Sequence, residues 1–102
     1  MTDKLLTGTI EEIGEIARHV LSGICPEAWC QEQEWDNRID FYVKQPDGNV
    51  VSEWIVLREI TEMRIRECGE RLKLRHQGVH VALVNEIPPP ILLSDGRRET
   101  KP

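Results

Sequence analysis

Residues 23–37 read GICPEAWCQEQEWDN and hold two of the three cysteines and two of the three tryptophans in the chain. Read as a cysteine loop, the stretch would make a small metal or redox protein. Read as a β-strand, it opens an antiparallel sheet. The alternation favours the strand. Ala28, Cys30, Glu32 and Glu34 interleave with Trp29, Gln31, Gln33 and Trp35, a period of two. Successive strand side chains point to opposite faces. Trp29 and Trp35 are therefore expected on one face, and Cys30 with the two glutamates on the other. Asp36 and Asn37 suit a tight connection into whatever follows.

The ligand chemistry is poorly provided for. Cys25 and Cys30 are spaced C-x4-C, and His19, Cys68, His76 and His80 form no second short pair of the kind zinc sites use. A redox thiol needs a lowered pKa, and the nearby carboxylates act in the opposite direction. The cysteines are expected to be reduced, small buried hydrophobes, with no metal and no cofactor. Glu32, Glu34, Asp36 and Asp40 could gather around a divalent cation, but their spacing fits an exposed strand edge better.

Downstream lies a hairpin. In RIDFYVK, Ile39, Phe41 and Val43 alternate with Arg38, Asp40, Tyr42 and Lys44. QPDGN is a turn, with Pro46 suited to its second position and Gly48 to a positive φ. NVVSEWIVL returns, with Val51, Ile55 and Leu57 on one side and Val50, Trp54 and Val56 on the other. Upstream, Thr9 and Glu12 form a capping-box pattern. Ile10, Ile13, Ile16, Ala17, Val20 and Leu21 then follow helical spacing, until Gly23 and Pro26 stop the helix. A second helix is expected over 58–76, with Gly78 as its stop. VHVALV, 79–84, has the composition of a last strand.

The fold expected is thus α+β, in the order α-β-β-β-α-β: a small antiparallel sheet with two amphipathic helices packed on one face. Residues 1–87 would form a single domain. Residues 88–102 would be a proline-led tail, extended through Pro88, Pro89 and Pro90 and disordered from Ser94.

Charge and composition narrow the function. The chain has 102 residues, 30% of them charged, and a net charge of −5. Residues 1–36 carry two cations against eight carboxylates, which argues against phosphate-backbone binding there. No apolar run approaches a membrane span, and the N-terminus lacks a secretory pattern, so a cytoplasmic protein is expected. No nucleotide-binding, zinc-protease or hydrolase motif is present, and the three histidines are scattered, so no catalytic activity is expected.

Three tryptophans beside one phenylalanine and one tyrosine is a skewed aromatic set. The core face of the hairpin is already supplied with aliphatic residues and Phe41. An acidic and tryptophan-bearing sheet face is therefore expected to bind another protein, through Trp29, Glu32, Glu34, Trp35, Asp36 and Trp54. The same surface would pair two copies into a homodimer. Small accessory or inhibitor proteins fit this description, including the phage and mobile-element type that block host nucleic-acid-processing complexes such as CRISPR effectors. The alternative is a nucleic-acid-binding module using Arg64, Arg66, Arg71, Lys73 and Arg75 of the second helix. The α-β-β-β-α order is similar to that of double-stranded-RNA-binding domains. The signature Gly-Pro-x-His loop and the lysine cluster opening the second helix are missing, and the arginines alternate with Glu59, Glu62, Glu67 and Glu70.

Overall fold

The computed structural model describes residues 3–85. In chain order these form α1 (Ile10–Ser22), β1 (Trp29–Gln33), β2 (Arg38–Lys44), β3 (Val50–Val56) and α2 (Glu62–His76). Single 3-10 turns, Glu34–Asp36 and Leu57–Glu59, follow β1 and β3. The sheet is antiparallel in the order β1-β2-β3. Both helices lie on one of its faces, as the hydrophobic pattern requires.

The capping box at α1 is formed. The Glu12 N–H donates to Thr9 Oγ1 at 3.1 Å, and the Thr9 N–H donates to Glu12 Oε1 at 2.8 Å. The helix buries Ile13, Gly14, Ala17 and Leu21. Between β2 and β3, Gly48 takes φ 91° and its N–H returns to the Gln45 carbonyl. This is the turn that Pro46 and Gly48 were expected to make. Register across the sheet follows from the alternation: Cys30, Phe41 and Glu53 align on the helix side, as do Glu32, Ile39 and Ile55. Ile39, Phe41 and Val43 are wholly buried there against Ala17, Ile60, Ile65 and Leu72.

Helix α2 begins later than the spacing predicts. Its N-cap is Thr61, whose hydroxyl accepts from the Arg64 N–H at 3.1 Å. Before it, Ile60 is extended, and its carbonyl accepts from the Leu6 N–H at 2.9 Å. The N-terminal segment thus holds residues 60 and 61 in an extended path, which denies the helix its expected first turn. At the other end, the Val79 N–H reaches the Leu74 carbonyl and the Gly78 N–H the Arg75 carbonyl, with Gly78 at φ 86°. That is a Schellman stop, and it is where a left-handed glycine is needed.

The expected last strand does not form: residues 79–85 carry no ladder. Side chains hold this segment instead. Arg75 Nη1 donates to the Val81 carbonyl at 2.8 Å. The Val84 N–H donates to Glu53 Oε2 at 2.9 Å. The Asn85 amide accepts from the Trp54 N–H at 3.0 Å and donates to the Trp54 carbonyl at 2.7 Å. One amide side chain thereby presents to the edge of β3 the donor and acceptor that a neighbouring strand would have offered. The apolar content of VHVALV goes into burying Leu83 and half-burying Val81, not into pairing. The proline-led tail expected over 88–102 lies outside the described residues.

On the helix-side face of β3 sits a buried carboxylate. Glu53 is 1% exposed. Arg71 of α2 grips it twice, Nε to Oε2 at 2.9 Å and Nη2 to Oε1 at 2.6 Å. Burial alone would raise the Glu53 pKa. The Arg71 pair, the Val84 N–H and the Cys68 thiol outweigh burial and hold the carboxyl below its ordinary 4.5. Since the folded value lies below the unfolded one, the stabilisation is whole above pH 4.5 and is lost as pH falls through the folded value. Glu53→Gln is expected to lose about 3 kcal/mol at neutral pH in urea titrations, because it leaves Arg71 without its counter-charge. The gap between parent and variant should narrow steadily as pH falls below 4.5.

Candidate interaction surface on the open face of the sheet

The face away from the helices carries Trp29, Gln31 and Gln33 from β1. It carries Arg38, Asp40, Tyr42 and Lys44 from β2, and Val50, Ser52, Trp54 and Val56 from β3. The register sets Trp29 beside Tyr42 and Ser52, Gln31 beside Asp40 and Trp54, and Gln33 beside Arg38 and Val56. No described helix lies over these residues.

They are nevertheless ordered among themselves. The Trp29 and Tyr42 rings stack, with centroids 5.6 Å apart and planes 18° from parallel. The Arg38 guanidinium sits 4.6 Å from the centre of the Trp54 ring. Asp40 joins the two aromatic groups. Its Oδ1 accepts from Arg38 Nε at 2.8 Å, and its Oδ2 accepts from the Tyr42 hydroxyl at 3.0 Å. The result is one continuous row, Trp29–Tyr42–Asp40–Arg38–Trp54, running diagonally over three strands. The Asp40 residue itself is 6% exposed although it lies on the open side, because its neighbours cover it. Burial and the Asp40 carboxylate together raise the Tyr42 phenol above its ordinary value, so it is a hydrogen-bond donor at neutral pH.

The expected site residues divide three ways. Trp29 and Trp54 do share this face. Glu32 is on the other side: its carboxylate faces Gly14 of α1 and pairs with Arg18, which lowers its pKa. Glu34, Trp35 and Asp36 lie at the tip. The strand ends at Gln33, so the period of two no longer governs Trp35. A 3-10 turn closed by Asn37 in the left-handed region (φ 50°, ψ 52°) carries these three residues. The turn is anchored by the Leu57 N–H to the Asn37 carbonyl at 2.8 Å. Trp35 is 99% exposed, a full indole presented to solvent between two carboxylates.

The alternative basic site is drawn inward. Arg71 grips Glu53, and Arg75 is buried, with Nε donating to Gln45 Oε1 at 2.9 Å. Arg66 pairs with Glu62 at 2.8 Å and Arg64 with Glu59 at 3.7 Å. Lys73 is exposed. Only part of the set faces solvent as the nucleic-acid reading expects.

The cysteines take the third route. Cys25, Cys30 and Cys68 are all buried and free. Burial raises each thiol, Cys30 to about 11, the last despite Arg18 nearby. Among the described residues no three His, Cys, Asp or Glu side chains converge as metal ligands would. No described helix is long and apolar enough to cross a membrane.

Arg38, Asp40 and Tyr42 alternate away from the core in the sequence, and the structure adds them to the expected site. The available signal was their shared parity with Trp54's side of the returning strand. Comparison with family models, with curated proteins and with solved structures finds no match for this chain.

The Asp40 junction makes the row cohesive, and its removal is measurable. Asp40→Ala strips the acceptor from both Arg38 and Tyr42 and is expected to cost about 2 kcal/mol in urea unfolding. Tyr42→Phe removes one bond and should cost about 1 kcal/mol.

Proposed function

We propose that this chain is a non-catalytic protein-binding module and that the open sheet face, with the Trp35 tip beside it, is its contact surface. The row Trp29–Tyr42–Asp40–Arg38–Trp54 carries this reading. Tryptophan, tyrosine and arginine are the residues in which interface hot spots are enriched. Here they are held in place by stacking, cation–π and hydrogen-bond contacts before any partner arrives. Side chains already fixed lose little entropy on binding, so more of the contact energy appears as affinity. Trp29 remains 46% exposed after stacking, leaving one ring face available.

The occupant would be another protein or a second copy of the chain. Glu34 and Asp36 at the tip favour a surface carrying lysine and arginine at its rim. The buried and ion-paired arginines of α2 and the acidic first third speak for protein over nucleic acid.

Comparing affinity capture by the parent chain and by Trp29→Ala from lysate of the native host tests the reading. Proteins that depend on this face should be retained by the parent and lost with the variant. For such a partner, the loss expected in titration is about 2 kcal/mol, roughly 30-fold in Kd. An identical captured set would refute the role of the face. Sedimentation of the purified chain, parent against Trp29→Ala, applies the same comparison to self-association. Titration with labelled single- and double-stranded oligonucleotides at low salt should give no salt-sensitive binding.

A further inference from the structure

The end of the sheet that carries Trp35 also carries a cavity. The chain passes from β1 to β2 through the Glu34–Asp36 turn, and the Asn37 carbonyl meets the Leu57 N–H where β3 ends. Residues 57–61 then lead into α2. The N-terminal segment joins them through the Leu6 N–H to the Ile60 carbonyl and a bridge between Leu5 and Thr61. Between that segment and the first turns of α2 opens a cavity of about 510 Å³. Leu5, Leu6 and Met63 supply its apolar wall, and Leu5 and Met63 are each half exposed. The volume is in the range that holds a small organic molecule, so an indole fits. Most of the charges around it are engaged. Asp3 Oδ1 accepts from the Met63 N–H at 3.4 Å, and Arg66 pairs with Glu62 at 2.8 Å. Lys4 is exposed, with no ion-pair partner among the described residues. At the tip, Glu34 is exposed and equally without one, and Asp36 has only Arg38 at 3.8 Å.

We propose that a second copy of this chain fills the cavity, Trp35 of each copy entering the cavity of the other about a two-fold axis. The inference rests on the reading of the Trp35 tip as a contact site and deepens it by naming the occupant. One end of the molecule holds both an indole, 99% exposed, and an apolar cavity that its own chain leaves open. Such a surface is self-complementary, as a two-fold interface must be. The charges match as well as the shapes. Glu34, beside the entering ring, meets Lys4 at the mouth of the cavity, and each is the other's missing partner. Met63 suits the site, because a thioether adapts to an aromatic ring and attracts its edge. The Trp29–Tyr42–Asp40–Arg38–Trp54 row takes no part in this contact.

Sedimentation equilibrium of the full chain, from about 1 μM to about 1 mM, tests the proposal. The parent should pass from monomer to dimer and no further. Trp35→Ala deletes the inserted ring at a position that touches nothing in the monomer. Met63→Glu sets a carboxylate in the cavity against Glu34, at a helix start that tolerates negative charge. Circular dichroism checks that both variants keep the fold. Loss of one tryptophan anchor weakens a contact roughly 30-fold. Either variant is altered at both sites of the dimer, so its dimer Kd should rise about 1,000-fold. An equimolar mixture of the two variants discriminates further. It can seat an intact Trp35 in an intact cavity at one of the two sites, so its Kd should lie only about 30-fold above the parent's. A parent that stays monomeric, a mass that keeps rising past the dimer, or a mixture no tighter than its components would overturn the proposal. So would a dimer lost with Trp29→Ala and kept with Trp35→Ala, which would assign self-association to the open face. The capture comparison with Trp29→Ala is independent of all these outcomes, so the two readings fail separately.

Discussion

A buried carboxylate gripped by one arginine organises this molecule. Glu53 lies on the helix side of β3, in register with Phe41, where a hydrocarbon would ordinarily sit. A lone buried charge there would be prohibitive. Arg71 satisfies it from α2 with two bonds, and the Val84 N–H adds a third. One ion thereby ties β3, α2 and the segment after α2 together. A buried pair of this kind contributes little net stability compared with apolar packing, but breaking it is costly. Its consequence is geometric: α2 must lie where Arg71 can reach Glu53, and residues 79–85 must pass where Val84 can.

The sheet repeats the device on its other side. Asp40 neighbours Phe41 in sequence and Trp54 in register, so the two carboxylates stand nearly back to back across one layer. Each is served by an arginine, Arg71 on the inside and Arg38 on the outside. The difference lies in what surrounds them. Inside, helices and aliphatic side chains exclude water. Outside, two tryptophans and a tyrosine do part of that work themselves. This explains how a face over which no described helix lies keeps an almost buried Asp40, and why its aromatic rings are fixed in place.

Edges and ends complete the picture. The β3 edge is occupied by the Asn85 side chain, which substitutes for a strand with one amide group. Such a cover blunts the unpaired edge that would otherwise invite another chain. At the opposite side of the fold, the Leu6 N–H to the Ile60 carbonyl ties the N-terminal segment to the start of α2. The termini of the described chain therefore brace the last helix and the last strand.

Local chemistry determined a good deal of this protein. The capping box of α1, the Pro46–Gly48 turn, the alternation of β1 and β2 and the glycine stop of α2 each follow from a few adjacent residues, because backbone dihedrals, turn geometry and cap hydrogen bonds are short-range. Those elements and their order could be read from the chain, and the α-β-β-β-α layout with them, though with a further strand expected at its end. Three matters were decided only by tertiary structure. Trp35 left the strand pattern because the chain turns at residues 34–36, in a 3-10 turn that the Leu57 N–H anchors through the Asn37 carbonyl. VHVALV did not pair, because Glu53 and Asn85 satisfy the backbone groups that a strand would have needed. Arg71 turned inward, since a carboxylate eighteen residues earlier in sequence was buried and needed it. In each case the controlling partner is distant along the chain, and desolvation, which no local pattern records, determines which groups must meet.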